Sequence, residues 1–140
     1  MAKLDDHICF LMDVATRRMT KFYNRKLRKF GITYNHFFIL RCLWEQEGVN
    51  VKDLSKELFL DSSSLTGHLD RMERAGLVVR KDDPEDRRAV RVFLTDRGHR
   101  LKGQLEPISE ELKETLKKGV PKQIVDTLGM ALHHISRRLA

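Results

Sequence analysis

The chain has 140 residues, a formal net charge of +7 from 27 Lys and Arg against 20 acids, and two cysteines. A chain of this length can form one domain that buries roughly two-thirds of its unfolded surface and needs neither disulfides nor a metal; two cysteines are in any case too few for a disulfide scaffold. The longest apolar run, Phe37 to Trp44, is broken by Arg41, and the acids Asp5, Asp6 and Asp13 do not suit a secretory leader, so a cytoplasmic location and an acidic partner such as nucleic acid are expected.

A helical period opens the chain. Ile8, Met12, Ala15, Met19 and Phe22 recur at spacings of 4, 3, 4 and 3, one face of a helix that should stop near Gly31. No acid occurs from Val14 through Trp44, whereas Arg17, Arg18, Lys21, Arg25, Lys26, Arg28 and Lys29 fall close together. That run reads either as a solvated face or as a surface that skirts phosphates. Thr33 caps a second helix over 34–47, which Gly48 closes. Val49, Asn50 and Val51 form a short extended piece, and a short third helix covers 53–58.

A turn at 59–62 leads into a fourth helix over 63–75, with Asp61 or Ser62 as its cap and Gly76 as its stop. Leu65, Leu69 and Met72 share its inward face. The period then changes to alternation, giving strands over 77–81 and 90–94 joined by the long polar segment 82–89. Helical spacing returns at Leu101, Leu105, Ile108, Leu112 and Leu116, where Pro107 should kink or break the helix. It stops at Gly119-Val120-Pro121 and resumes at Ile124, Leu128, Leu132, Ile135 and Leu139. Apolar stripes at both ends find their simplest partner in a second copy, so a helical homodimer is expected.

Helix, turn, helix and hairpin is the order of a winged helix-turn-helix. The expected fold is mainly α with a small β-hairpin wing, a single domain over 1–140. Its DNA-binding lobe is 32–98 and its dimerisation helices are 1–31 and 99–140. The outer face of the fourth helix carries Ser63, Ser64, Thr66, His68, Arg71 and Arg74, groups suited to base edges in a major groove, and Gly67 allows close approach. An ordinary polar surface helix would look the same; the hairpin tips the balance. Arg80, Lys81, Arg87, Arg88 and Arg91 are interleaved there with Asp82, Asp83, Glu85 and Asp86. Acids so placed can aim particular arginines at phosphate or a minor groove, although a solvated loop is the plainer alternative.

Enzyme signatures are missing. There is no P-loop, no paired glycines after a strand and no nucleophile elbow. The six histidines are scattered, and His133 and His134 point about 100° apart on a helix, a poor chelate. No catalysis, metal or cofactor is expected; the rival to DNA binding is a helical protein-interaction module.

Asp83-Pro84-Glu85-Asp86-Arg87-Arg88-Ala89-Val90-Arg91-Val92-Phe93-Leu94-Thr95-Asp96-Arg97-Gly98 resembles the wing and following helix start of MarR-family regulators. Leu65-Thr66-Gly67-His68-Leu69-Asp70-Arg71-Met72-Glu73-Arg74-Ala75-Gly76-Leu77-Val78 resembles their recognition helix. The likeness extends over essentially the whole chain. It implies a homodimeric regulator, a repressor, on near-palindromic double-stranded DNA. The wing's aspartate and second arginine are then Asp86 and Arg88, with Arg88 at the tip.

Ile8-Cys9-Phe10-Leu11-Met12, with Tyr23 and with Ile32-Thr33-Tyr34, is similar to the organic hydroperoxide sensors (OhrR) of that family. In those proteins a first-helix cysteine is hydrogen-bonded to two tyrosines of the other subunit, which implies a redox site of Cys9, Tyr23 and Tyr34. Cys9 and Tyr23 are 14 residues apart, about 21 Å along one helix, so they meet only across an antiparallel dimer. Phenol donors favour the thiolate that attacks a peroxide. Asp13, at i+4 from Cys9, opposes this unless it turns to Arg17. An oxidised Cys9 would pair with Cys42 or with a small thiol. The rival signal is a small aromatic or phenolic ligand lined by Phe10, Phe22, Phe37, Phe38 and Trp44, residues that are more often plain core.

Overall fold

A computed structural model describes residues 3–140, without the side chain of residue 5; the first two residues of the expected dimerisation segment lie outside the described residues. The chain forms two compact units, one ending at Leu105 and one spanning Glu106–Ala140.

The first unit opens with α1, Ile8–Leu27. Its C-terminal half buries Tyr23 and Leu27, while Ile8 and Leu11 near its start are exposed. The helix tightens into a 3-10 turn at Arg28–Phe30 and stops at Gly31, whose φ of +71° is left-handed. Asn24 Oδ1 accepts the Tyr34 N–H at 2.8 Å, which pins the corner between α1 and α2, Tyr34–Glu45. A capping box formed by Thr33 and His36 starts α2. The helix stops two residues short of the expected end because the backbone there is recruited by the sheet. Gly48 N–H donates to Val92 O at 2.9 Å, and Glu47 accepts the Leu94 N–H at 2.7 Å.

Strand β1, Val49–Asn50, leads into α3, Val51–Glu57. This helix begins earlier than the sequence suggests because Asn50 caps it, accepting the Asp53 N–H at 2.8 Å. Helix α4, Ser62–Arg74, is capped by Asp61. Strands β2, Val78–Asp82, and β3, Val90–Leu94, form the hairpin. The expected two-stranded wing is part of a three-stranded antiparallel sheet, order β1-β3-β2, with Val49 opposite Val92 and Arg80 opposite Val92 on the other side. The extended piece before α3 is its edge strand.

Phe37, Leu40 and Leu43 of α2, Leu54 of α3, Leu65, Leu69 and Met72 of α4, and Val78 and Val92 of the sheet make the core. It seats α4 on its apolar face and leaves the polar face outward. Behind α4 the packing is too close for any side chain at Gly98, where a Cβ would lie 2.3 Å from Leu77 O. Gly98 belongs to α5, Asp96–Arg100, whose Thr95 cap also donates to Gly76 O at 2.6 Å. Arg97 donates to Ala75 O and, at 3.4 Å, to Phe30 O. A cation thus sits on the Ala75 carbonyl at the end of α4.

Helix α6, Lys102–Lys117, contains Pro107 without interruption; of the expected kink or break, the break does not occur. Proline withholds a single donor, the one Gly103 O would have accepted, and both residues are exposed. The helical run is interrupted instead at Leu101. In the second unit, α7, Lys122–Arg138, presents Ile124, Leu128 and Leu132 at 59%, 57% and 43% exposure. Among the described residues no helix is long and apolar enough to cross a membrane.

Candidate nucleic-acid interface

The polar face of α4 divides into three strips at about 100° per residue. Ser63, Gly67, Arg71 and Arg74 point away from the core. Ser64 and His68 lie on the flank toward α2. Thr66, with Asp70 and Glu73, lies on the flank toward the wing.

Each strip has its own chemistry. The Asp61 cap accepts Ser63 Oγ at 2.8 Å, Ser64 Oγ at 3.0 Å and the Ser64 N–H at 2.8 Å. Both hydroxyl protons are therefore engaged, and the two serines face outward as acceptors. The backbone N–H of Ser64, then the serine hydroxyls, hold the Asp61 carboxyl below its usual range. On the α2 flank, Arg71 Nη2 lies 3.0 Å from His68 Nδ1. Arginine only donates, so Nδ1 accepts and the His68 proton sits on Nε2. Burial, then the Arg71 charge, lowers the His68 pKa. A Cβ at Gly67 would meet nothing nearer than the Arg71 guanidinium at 3.8 Å, so the helix surface there is open.

His36, at the start of α2, is a functional neighbour that the sequence does not single out. Its Nδ1 accepts the Thr33 N–H at 3.3 Å, its ring meets His68 edge-on at 5.4 Å between centroids, and Nε2 is buried without a partner. Burial, then His68 and Arg71, lowers its pKa to about 4. The helix cap is the signal that could have found it, because a histidine at the third helical position can close a capping box.

In the wing, Asp86 Oδ1 accepts the Arg88 N–H at 2.9 Å and Asp86 O accepts the Ala89 N–H at 3.0 Å. Arg87 and Arg88 are the two central residues of that turn, exposed and with no carboxylate partner among the described residues. Asp86 builds the tip that carries them. The acids at the base hold arginines inward: Asp83 takes Arg91 Nε at 2.7 Å, and Arg91 Nη1 donates to Gly48 O at 2.9 Å. The Glu85 N–H, then Arg91, keeps the Asp83 carboxyl below its usual range. Lys81 lies over the Phe93 ring at 5.1 Å. Of the five hairpin cations, only the pair at the tip projects without an acid or aromatic partner. A cleft of about 920 Å³ between α4 and the wing gathers Ser62, Thr66, Arg80, Asp82, Asp86 and Arg88, with Asn50 and Lys52.

The redox candidates lie elsewhere. Cys9 is exposed on the second residue of α1, and Tyr23 is buried 14 residues further along the same helix, about 21 Å away. The Tyr23 and Tyr34 rings touch, 5.3 Å between centroids. Burial, then Tyr23, raises the Tyr34 pKa, so its phenol stays a donor. Asp13 pairs with Arg17 at 3.0 Å on the helix surface. Burial, then Glu57, raises the Cys42 thiol against a smaller lowering by Arg41. Phe37 stacks on Tyr23 and meets Phe38 and Trp44 edge to face, so these aromatics pack on one another. In the basic run, Arg25 and Lys26 lie over Phe22, whereas Arg18, Lys21 and Arg28 are exposed. No group of three or more metal-ligating side chains occurs among the described residues.

Residues 32–90 match the model of the MarR family. The chain is 45% identical over 100 residues to the organic hydroperoxide resistance transcriptional regulator of Bacillus subtilis, covering 71% of this chain and 68% of that protein. It is 32% identical over 132 residues to the HTH-type transcriptional regulator SarZ of Staphylococcus haemolyticus, covering 94% and 88%. The structure of reduced AbfR bound to DNA matches with a TM-score of 0.77 at 28% identity, covering 99% of this chain and 94% of AbfR.

Proposed function

This chain belongs to the MarR family of transcriptional regulators, and from that premise we propose that it is a homodimeric, cytoplasmic repressor released from DNA when an organic hydroperoxide oxidises Cys9. As a family member it is a DNA-binding transcriptional regulator and not an enzyme. The observation that carries the DNA reading is the shared cleft, which draws Thr66 of α4 together with Asp86 and Arg88 of the wing.

In this reading 32–98 is the DNA-binding lobe and 1–31 with 99–140 are the dimerisation helices. Ser63, Ser64, Thr66, Gly67, His68, Arg71 and Arg74 meet base edges and phosphates in a major groove. Asp86 shapes the wing tip, and Arg87 and Arg88 reach phosphate or a minor groove. Two lobes about a two-fold axis read half-sites about 10 bp apart, or a multiple of that, in a near-palindrome.

Cys9 supplies the switch. Its thiolate sulfur attacks the hydroperoxide O–O bond; an S–O bond forms as the O–O bond breaks. Sulfur takes the terminal OH and is oxidised by two electrons to sulfenic acid, and the alkoxide that leaves takes a proton from water to become the alcohol. A small thiol then forms a mixed disulfide and releases water. Three things support this reading: Cys9 is exposed, Asp13 is engaged by Arg17, and a relative at 45% identity is named for organic hydroperoxide resistance. Tyr23 and Tyr34 of the second copy would donate to the sulfur, and bulk added at Cys9 would displace that contact.

Intact-mass spectrometry run beside DNA binding, with cumene hydroperoxide and a small thiol, tests it. Cys9→Ser should keep DNA affinity and lose release, and Cys42→Ser should keep both. Release of Cys9→Ser by peroxide, equal to the parent's, would remove Cys9 from the switch and make control by a small aromatic ligand the leading account.

A further inference from the structure

A wing cation next to DNA would be expected to face phosphate, and Arg80 does not. From β2 it turns toward α4, where Nη2 donates to Asp70 Oδ1 at 2.5 Å and Nε to Glu73 Oε2 at 2.8 Å. The Arg80 side chain is 26% exposed, and its acceptors Asp70 and Glu73 are 45% and 38% exposed, so the guanidinium is partly covered while the carboxylates still face water. No other side-chain hydrogen bond or ion pair joins α4 to the hairpin among the described residues.

Two physical consequences follow from that placement. Asp70 and Glu73 share with Thr66 the flank of α4 that borders the cleft, and bare carboxylates there would repel phosphate. Arg80 offsets that charge without offering its own to DNA. A guanidinium that donates from two different nitrogens to acceptors one helical turn apart also fixes both the height and the rotation of the strand against the helix. At about 3.3 Å per residue, Arg80 holds the hairpin roughly 7 Å beyond its root at Val78. A hairpin tied only at the root could rock.

We propose that Arg80 is a positioning residue for DNA recognition: its fork on Asp70 and Glu73 sets the span between the base-reading face of α4 and Arg88 at the wing tip. The inference rests on the reading that α4 and the wing hold one DNA together. Its signature is coupling. The value of Arg88 to binding depends on Arg80, through the span that the fork sets and not through the Arg80 charge.

The test is a double-mutant cycle by fluorescence anisotropy at fixed salt, using a duplex that the parent protein selects from a random-sequence library. Circular dichroism and light scattering establish that each dimer is folded. In the parent, Arg88→Ala should weaken binding about tenfold. In an Arg80→Met background the same change should cost less than about threefold, because the tip is no longer held in place. Arg80→Lys, which keeps a charge but not the fork, should give an intermediate loss. Asp70→Ala with Glu73→Ala leaves Arg80 in place without acceptors and should also shrink the Arg88 effect; it carries the test if Arg80→Met does not fold. A full tenfold loss in all these backgrounds would overturn the positioning role and leave the DNA interface standing. No loss from Arg88→Ala in the parent would overturn the interface reading itself.

Discussion

Leu65, Leu69 and Met72 on α4, spaced 4 and 3, and Ile124, Leu128 and Leu132 on α7, spaced 4 and 4, each mark one face of a helix but end in different surroundings. The first three are fully buried, and the other three keep 43% to 59% of their surface. The period alone tells which face is apolar and not where its partner comes from. In the lobe the partner is local: α2, α3 and the sheet close over α4. On α7 the stripe is exposed, and the proposed homodimer would give it a second copy as partner. Exposure at the wing tip differs in kind, because Arg87 and Arg88 are exposed cations, suited to phosphate and not to another apolar face.

The largest effect expected from this contrast is on assembly. Leu128→Asp with Leu132→Asp should give monomers at low micromolar concentration by light scattering. Operator binding should fall more than about a hundredfold, since one lobe reads one half-site. A dimer with the parent's affinity would mean that α7 is not the interface. Within the lobe, Leu69→Ala should cost about 3–4 kcal/mol by denaturant titration; a loss under about 1 kcal/mol would show that the α4 core is looser than its burial implies.

Acid should act on the same packed region. The His36 pKa is about 4 in the fold against an ordinary 6.5, so the folded chain binds fewer protons than the unfolded chain between those values. Stability from this group is complete above pH 6.5 and is lost as pH falls toward 4, by up to about 3 kcal/mol. The difference in stability between the parent and His36→Gln should change across that window; a constant difference would refute the buried neutral imidazole. The smallest effect belongs to the exposed tip. Arg88→Ala should weaken selected and random duplexes alike, about tenfold or 1.4 kcal/mol, with an unchanged circular dichroism spectrum. Loss confined to the selected duplex would make Arg88 a base reader.

Element order was legible because local rules set it. The stops at Gly31, Gly48 and Gly76 are all left-handed, the Thr33 and Asp61 caps are formed, and β3 spans the expected residues, since turn geometry, capping and a two-residue period act over a few positions. The inward face of α4 was readable for the same reason. Partner choice was not. The sequence shows five cations among four acids in the hairpin, yet Arg80 reaches back ten residues to Asp70 and Arg91 reaches Gly48 O, 43 residues away. Which arginines remain for DNA follows from ångström-scale distances between elements, and spacing along the chain does not encode them. Tertiary packing likewise decided that residues before α3 join the wing sheet and that His36 meets His68 across α2 and α4. Each depends on a neighbour distant in sequence, where local propensity has no say.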